Sequence, residues 1–196
     1  MQSLELAAAP AAEPVTLAEI KSHARIETSA DDALLTNFIA AARQWTEQFT
    51  GRAMMTQSWR LWLDAWPMRE DRCIQWVELP RAPLQAVSEV RLYKRDGSFD
   101  TWSGANYQVD AAAQPGRLAL PYDQAWPGTS RAVQAIRIDF TAGYASAALV
   151  PEPIKAAIRQ LAAHWYEHRG AGGATLHEIP YGVQALLAPY VVRSLS

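Results

Sequence analysis

A change of hydrophobic period part-way along the chain constrains the fold more than any other feature of the sequence. Apolar residues recur at three- and four-residue spacing before about residue 57 and again after residue 141, as on one face of a helix. Between these segments, short runs rich in β-branched and aromatic residues are separated by turn-forming residues. The sequence therefore predicts an α+β fold: a small helical core of about four helices, with an antiparallel β insertion between the second and third main helices.

Two helices are predicted before the insertion. Thr16 and Glu19 have the spacing of a capping box at the start of the first helix. Ser29 is the predicted N-cap of the second helix, and Gly51 is its predicted C-cap residue. The stripe that we expect the second helix to bury consists of Leu34, Phe38, Ala41, Trp45 and Phe49.

Seven runs predict the strands of the insertion: SWRLWL, CIQWVEL, VSEVRLYKRDG, FDTWSG, NYQVD, GRLALP and VQAIRIDF. The dipeptides Asp96-Gly97 and Pro115-Gly116 predict tight turns between neighbouring runs. Because the runs are short and closely spaced, hairpin connections are expected and the sheet is predicted to be antiparallel.

The helical period returns after the insertion. Pro153 suits the first turn of a third main helix, whose predicted stripe is formed by Ile154, Ile158, Leu161 and Trp165. A glycine-rich stretch, GAGGAT, then leads to an apolar segment that can form one short helix interrupted by Pro189.

These segments predict the organisation of the whole chain. Residues 1–13 are expected to be a flexible tail, and residues 14–56 and 142–170 the helical core. Residues 57–141 are the β insertion, and residues 171–196 a glycine-rich linker followed by a docking segment.

The motif HWYEH, residues 164–168, raises the question of a metal site. Two histidines, His164 and His168, stand at i, i+4 spacing with Glu167 beside them, as in inverted zinc-protease motifs. A catalytic zinc needs a third protein ligand, and the candidates are His23, His177 and Glu178, none with helix-borne spacing. The sequence favours two boundary histidines on an amphipathic helix and leaves a zinc-dependent hydrolase as the alternative.

Composition limits the other classes of function. The formal net charge of −2 does not indicate nucleic-acid binding through bulk positive charge. A single cysteine, Cys73, excludes an internal disulfide and a thiolate zinc cluster within one chain. No apolar run approaches the length of a membrane span, and neither a phosphate-binding loop nor a nucleophile elbow is present. No cofactor is predicted.

The eight tryptophans suggest core packing for the most part, since those of the helices fall in apolar stripes and most others fall in or beside predicted strands. Trp66 and Trp126 are each followed by proline, and we expect these two side chains on exposed loops or at an interface. A carbohydrate-binding module on the β insertion is a third interpretation, which requires exposed tryptophans.

The order of motifs resembles one known family. A short capped helix is followed by a D-D-x-L-L helix ending in T-G-R, by L-P-x-x-P before strands, and by T-x-G-Y leading into P-x-x-I-K-x-A-I. From about residue 14 to 190, this succession resembles the head-tail connector (adaptor) proteins of tailed bacteriophages and gene transfer agents. By this resemblance the HWYEH helix is a packing element, and no metal site is implied.

The resemblance implies a structural role without enzymatic activity. Its implied partners are the portal protein, a tail-side stopper or tail-completion protein, and further copies of the chain in a ring, typically of twelve. Double-stranded DNA is expected to pass through the ring without sequence-specific binding. The implied location is the head-tail junction of a particle assembled in the bacterial cytoplasm, and no membrane is involved.

Within this role, the apolar C-terminal segment is a candidate surface for docking on the portal or on a neighbouring subunit. The alternative is that the segment folds back on its own helical core. Together with the two loop tryptophans, the candidate interface residues are Ile179, Tyr181, Val183, Leu186, Leu187, Tyr190, Val191, Trp66 and Trp126.

Overall fold

The computed structural model describes residues 1–69, 72–73, 75–122, 124–169 and 179–193; at 68–69 and 72–73 the description covers the backbone. The chain forms two compact units. The β unit contains Met1–Ala9 and Thr56–Gly143, and the helical unit contains Pro10–Met55 and Tyr144–Val192. The predicted linker and two of the candidate zinc ligands, His177 and Glu178, lie outside the described residues.

The described part of the helical unit contains four α-helices: α1 Leu17–Ala24, α2 Asp32–Thr50, α3 Glu152–Glu167 and α4 Tyr181–Leu187. A 3₁₀ turn over Ala147–Leu149 precedes α3, and another over Ala188–Tyr190 follows α4. With the strands between α2 and α3, this order confirms the predicted α+β fold. No helix among the described residues is both long and apolar enough to cross a bilayer.

The capping box of α1 is confirmed atom by atom. The Thr16 hydroxyl accepts a hydrogen bond from the Glu19 amide at 3.2 Å, and the Thr16 amide donates to the Glu19 carboxylate at 2.7 Å. At the other predicted helix end, Gly51 takes a left-handed conformation with φ of 70° and caps α2. The N-cap of α2 is Asp31, so the prediction of Ser29 at that position was wrong.

The buried stripe of α2 is displaced by one residue from the predicted one. Its members are Leu35, Ile39, Ala42 and Thr46, each at most 2% exposed. The predicted residues, such as Phe38 and Trp45, are half-buried at the border of the core. Polar side chains share the buried face of α2. The prediction considered apolar residues only, and it therefore placed the buried stripe one residue away from its true position.

Arg43 and Glu47 are those polar side chains. Arg43 Nη1 donates to the Glu47 carboxylate at 2.7 Å, and Arg43 Nε donates to the Glu13 carboxylate at the same distance. The second oxygen of Glu47 accepts the Met54 amide at 2.9 Å. The two side chains therefore attach both the segment before α1 and the turn after α2 to the middle of α2.

Helix α3 supplies the opposite wall of the core. Ile154, Ile158 and Leu161 are fully buried, as predicted, and Trp165 is half-buried beside them. Helix α4 packs on α3 through Val183 and Leu187, which are both 0% exposed. The C-terminal segment thus completes the helical core, in agreement with the alternative that it folds back on the chain's own helices.

The β unit is built from short antiparallel strands. The longest sheet has the order β1-β2-β10-β6-β7, a second has the order β5-β9-β8, and β3 pairs with β4. The strands described are β1 Gln2–Ala8, β2 Gln57–Leu63, β3 Met68–Arg69, β4 Arg72–Cys73, β5 Trp76–Leu79, β6 Leu84–Tyr93, β7 Phe99–Thr101, β8 Gln108–Asp110, β9 Gly116–Ala119 and β10 Ile136–Ala142. A 3₁₀ turn, Gly104–Asn106, lies between β7 and β8.

The inner face of the long sheet holds the core of the β unit. Ile138 stands between Leu61 on β2 and Val90 on β6, and all three side chains are at most 1% exposed. Both predicted turns occur, with Gly97 at φ 87° between β6 and β7 and Pro115 between β8 and β9. The first residue of β9 must be glycine, because a Cβ on Gly116 would lie 2.5 Å from that of Leu84.

The N-terminal segment differs from the prediction. Residues 1–13 were expected to be a flexible tail, whereas Gln2–Ala8 forms β1 and pairs antiparallel with β2. The Met1 ammonium also contacts the Asp64 carboxylate at 3.2 Å. The sequence SLELAA does not predict a strand, because alanine has low strand propensity. The segment is a strand because it pairs with β2.

The ion pair inside α2 gives a first prediction. Glu47→Ala leaves Arg43 buried without its intrahelical partner and leaves the Met54 amide without an acceptor, so we expect the free energy of unfolding to fall by about 3 kcal/mol. Urea denaturation measures this loss. The control is Gln48→Ala, an exposed position on the same helix, with an expected change within about 0.5 kcal/mol; equal losses for the two variants would contradict the role of the pair.

A second prediction concerns the start of α3. Hydrogen bonds from Lys155 and Arg159 lower the pKa of Glu152 from its ordinary 4.5 to about 2. The contribution of this carboxylate to stability is therefore complete above its ordinary pKa and is lost as the pH falls toward about 2. Titration of the Glu152 carboxyl carbon by NMR should show a midpoint well below 4.5 in the wild-type chain and a higher one in the Lys155→Ala, Arg159→Ala variant; the same midpoint in both chains would contradict the pairing.

Candidate interaction surfaces

The two histidines of HWYEH lie at the C-terminal end of α3. Their ring centroids are 4.3 Å apart, and His168 Nδ1 lies 2.8 Å from the backbone oxygen of His164. Glu167, the expected general base, is exposed. His164 Nε2 is buried and has no hydrogen-bond partner among the described residues.

The described residues bring no three histidine, cysteine, aspartate or glutamate side chains together in a metal-binding arrangement. The neighbouring side chains instead attach the end of α3 to the start of α2. Tyr166 donates to the Asp31 carboxylate at 2.6 Å, which raises the pKa of the tyrosine, and Arg169 reaches the same carboxylate at 3.3 Å. These contacts make this end of α3 a packing element.

The candidate interface residues of the C-terminal segment divide into two groups. Val183 and Leu187 are buried in the chain's own core, so their assignment to an interface was wrong. Tyr181 is 85% exposed at the start of α4. The remaining members are half-buried at the border of the core: Ile179, Leu186, Tyr190 and Val191. The helical spacing of α4 explains the division, since one face must pack on α3.

The two loop tryptophans contact each other. Trp66 and Trp126 stack with ring centroids 4.2 Å apart, and Trp66 Nε1 donates to the Pro127 carbonyl at 2.9 Å. Trp102 packs against both rings, and Tyr107 packs against Trp102. Trp66 is 8% exposed, so the expectation of an exposed loop residue was wrong for it, whereas Trp126 is half-buried. A mutually packed cluster leaves little ring face for stacking on a sugar.

The outer face of the long sheet is a charged surface that sequence reasoning missed. Arg60 contacts the Glu5 carboxylate at 3.2 Å across β1 and β2, and Arg137 contacts Asp139 at 2.8 Å on β10. On β6, Arg91 contacts Glu89 at 2.6 Å, and this hydrogen bond lowers the pKa of Glu89. The signal was available in SWRLWL and AIRIDF, where charged residues alternate with apolar ones.

Aromatic rings lie among these ion pairs. Tyr93 packs between Trp62 at 5.4 Å and Phe99 at 5.5 Å, as measured between ring centroids. Arg137 and Arg91 lie over the rings of Trp62 and Phe99. Arginine and aromatic residues are enriched at protein interfaces, and here each of these arginines has a carboxylate partner. On this face the charges of Arg60, Arg91 and Arg137 are thus offset by carboxylates.

Comparison with known proteins shows what the chain is similar to. Residues 14–98 match the model of the phage gp6-like head-tail connector protein family. A chain of the neck of an empty gene transfer agent particle, computed with C6 symmetry, is 28% identical and superposes with a TM-score of 0.81, covering 99% of this chain and 97% of that one. Residues 14–98 are thus similar to head-tail connector proteins, and almost the whole chain is similar to a component of a gene transfer agent neck.

Two further structures match the connector over almost its whole length. One is from the virion of a native gene transfer agent particle, with 27% identity, a TM-score of 0.80, and coverage of 98% of this chain and 97% of the other. The second is from the neck of the native particle computed with C12 symmetry, with 26% identity, a TM-score of 0.78, and coverage of 99% and 97%. A search of curated proteins gave no match.

These findings confirm the family that the order of motifs indicated, and with it a structural connector role at the head-tail junction. They do not support the zinc-dependent hydrolase. The family model covers α1, α2 and strands β2 to β6, whereas the structural matches also include β1 and extend through α3 and α4.

The division of the C-terminal segment gives a third prediction. Leu187→Ala removes a fully buried side chain, so the free energy of unfolding should fall by about 2 to 5 kcal/mol. Tyr181→Ala, six residues earlier on the same short helix, should change it by no more than about 0.5 kcal/mol because the ring is exposed. Thermal or urea unfolding of both variants is the measurement, and a large loss for Tyr181→Ala would place its ring in the core.

Proposed function

We propose that this connector assembles as a ring between the head and the tail of a phage or gene transfer agent particle. The portal protein is its partner on the head side, and a stopper or tail-completion protein is its partner on the tail side. The observation that carries the proposal is the near-complete likeness to a chain of the gene transfer agent neck. A related neck structure was computed with C12 symmetry, which supports a ring of twelve copies.

The charge distribution supports passage of DNA without tight binding. The chain has 18 basic and 20 acidic residues, and the arginines on the outer face of the sheet are paired with carboxylates. Binding of DNA phosphates depends on cations that can release the counterions of the duplex. An arginine that is already paired with a carboxylate binds DNA phosphates weakly. Double-stranded DNA can therefore move through the ring without being held at a particular sequence.

The function resides in surfaces, with no catalytic step. The structural neighbours of the connector are components of particles. The described residues hold no converging set of metal ligands, and the HWYEH helix contributes contacts to Asp31. A non-enzymatic role accounts for these features of the described residues.

The exposed part of the C-terminal segment is proposed to dock on the portal or on a neighbouring subunit. Tyr181 offers a nearly free aromatic ring, and Tyr190 and Val191 are half-buried beyond the end of α4. Aromatic side chains that are exposed in the free subunit and buried in the complex contribute strongly to binding. Trp126 is a further candidate, on the β unit.

The experiment is assembly of the purified connector on purified portal, followed by electron microscopy and light scattering. We expect rings on the portal with the wild-type chain and a reduction of at least about tenfold in affinity for Tyr181→Ala, as for a residue at an interface hot spot. Deletion of the segment is unsuitable because it removes Val183 and Leu187 from the core.

The matched control is Gln184→Ala, an exposed polar position on the same helix. This variant should assemble like the wild type if only the aromatic ring matters. Absence of rings on the portal with the wild-type chain would contradict the ring itself. Normal rings with Tyr181→Ala would contradict the docking surface alone and leave the ring intact.

A further inference from the structure

The long sheet of the β unit is open at β1, one of its two edge strands. Among the described residues, β1 is hydrogen-bonded to β2 on one side and has no strand on the other. An edge strand of this kind presents unpaired backbone N–H and C=O groups, which can pair with a strand from another chain.

The two edges of the sheet differ in protection. Strand β7, at one edge, has three residues and carries the exposed Asp100, and short charged edge strands resist pairing. Strand β1 has seven residues and contains neither lysine nor proline. Leu6 on β1 is 46% exposed and Leu4 is half-buried, so apolar surface lies directly beside the open edge.

The one charged residue of β1 does not protect the edge. The Glu5 carboxylate accepts hydrogen bonds from Arg60 at 3.2 Å and from the Trp62 indole at 3.1 Å, and both donors lie on β2. These donors offset its charge, while the side chain stays 50% exposed on the outer face and can still accept a hydrogen bond from a neighbouring strand. A strand approaching from the other side meets open backbone and the two leucines.

We propose that the open edge of β1 pairs antiparallel with β1 of a second copy of this chain, about a two-fold axis at Leu4. The pairing of β1 with β2 is regular from Gln2 to Leu6 and shifts between Leu6 and Ala8. Leu4 is the centre of this regular part, so the two-fold axis pairs all five residues.

The charge of Glu5 favours an axis at Leu4 over an axis at Glu5. With the axis at Leu4, Ser3 stands opposite Glu5 of the second copy, and the serine hydroxyl is a suitable donor to the carboxylate. An axis at Glu5 would place the two carboxylates directly opposite each other, which destabilises a strand pair. The leucines at the centre cover each other on the inner face.

The proposed dimer is a property of the free subunit and does not depend on the proposed ring. A two-fold contact joins identical patches, whereas a closed ring of many copies joins unlike patches. Pairing of five residues buries less than the roughly 1,200 Å² of a stable interface, so the dimer should be weak and should form as the concentration rises.

Sedimentation equilibrium of the full-length chain over a range of concentrations tests the dimer. Leu4→Lys places two ammonium groups side by side at the axis and should weaken dimerisation by at least about tenfold. Ser3→Lys places a lysine opposite Glu5 of the second copy, twice per dimer, and should strengthen dimerisation by about three- to tenfold. A wild-type chain that stays monomeric at every concentration would overturn the proposal, as would equal effects of the two lysines.

Cross-linking supplies a test that does not depend on how Leu4→Lys folds. In a Cys73→Ser background, Leu4→Cys brings two thiols together at the axis and should give a covalent dimer on mild oxidation. Leu6→Cys faces Gln2 of the second copy and should remain largely uncross-linked. Preferential cross-linking of Leu6→Cys or of Glu5→Cys would overturn the register, and open-ended oligomers in place of dimers would overturn the two-fold pairing.

Discussion

The buried ion pair between Arg43 and Glu47 is the interaction on which the helical unit depends. It occupies the buried face of α2, where apolar side chains alone would otherwise pack. Through Glu13 and the Met54 amide it attaches to α2 two segments that lie near the sequence boundaries of the helical unit. A buried pair of this kind adds little net stability but is costly to break, so its main contribution is to specify one arrangement of these segments.

Single elements of the molecule carry both core residues and exposed residues. On α4, Val183 and Leu187 belong to the core while Tyr181 is exposed, and on β2 the inward Leu61 alternates with the outward Arg60 and Trp62. The helical period of α4 and the two-residue period of β2 make this separation possible. A connector can therefore change the residues that meet its partners while the residues that hold the fold remain.

Sequence reasoning predicted the elements with strong local signals and missed those determined by tertiary contacts. The capping box at Thr16, the turn at Gly97 and the stripe of α3 depend on neighbouring residues, and all three were correct. Strand β1 and the displaced stripe of α2 depend on partners distant in sequence, namely β2 and Glu13. Among the candidate interface residues, the choice between Tyr181 and Leu187 required the position of α3, which no local pattern contains.

The helical unit is assembled from both ends of the chain. Its core joins residues such as Val15 and Leu35 to Leu161 and Leu187, and the largest part of the β unit, Thr56–Gly143, lies between them in sequence. During synthesis, α1 and α2 leave the ribosome long before α3 and α4 exist, so they must wait for the chain to be nearly finished before their apolar faces are covered. A prematurely terminated polypeptide consequently lacks α3 and α4, and the apolar faces of α1 and α2 stay exposed to solvent.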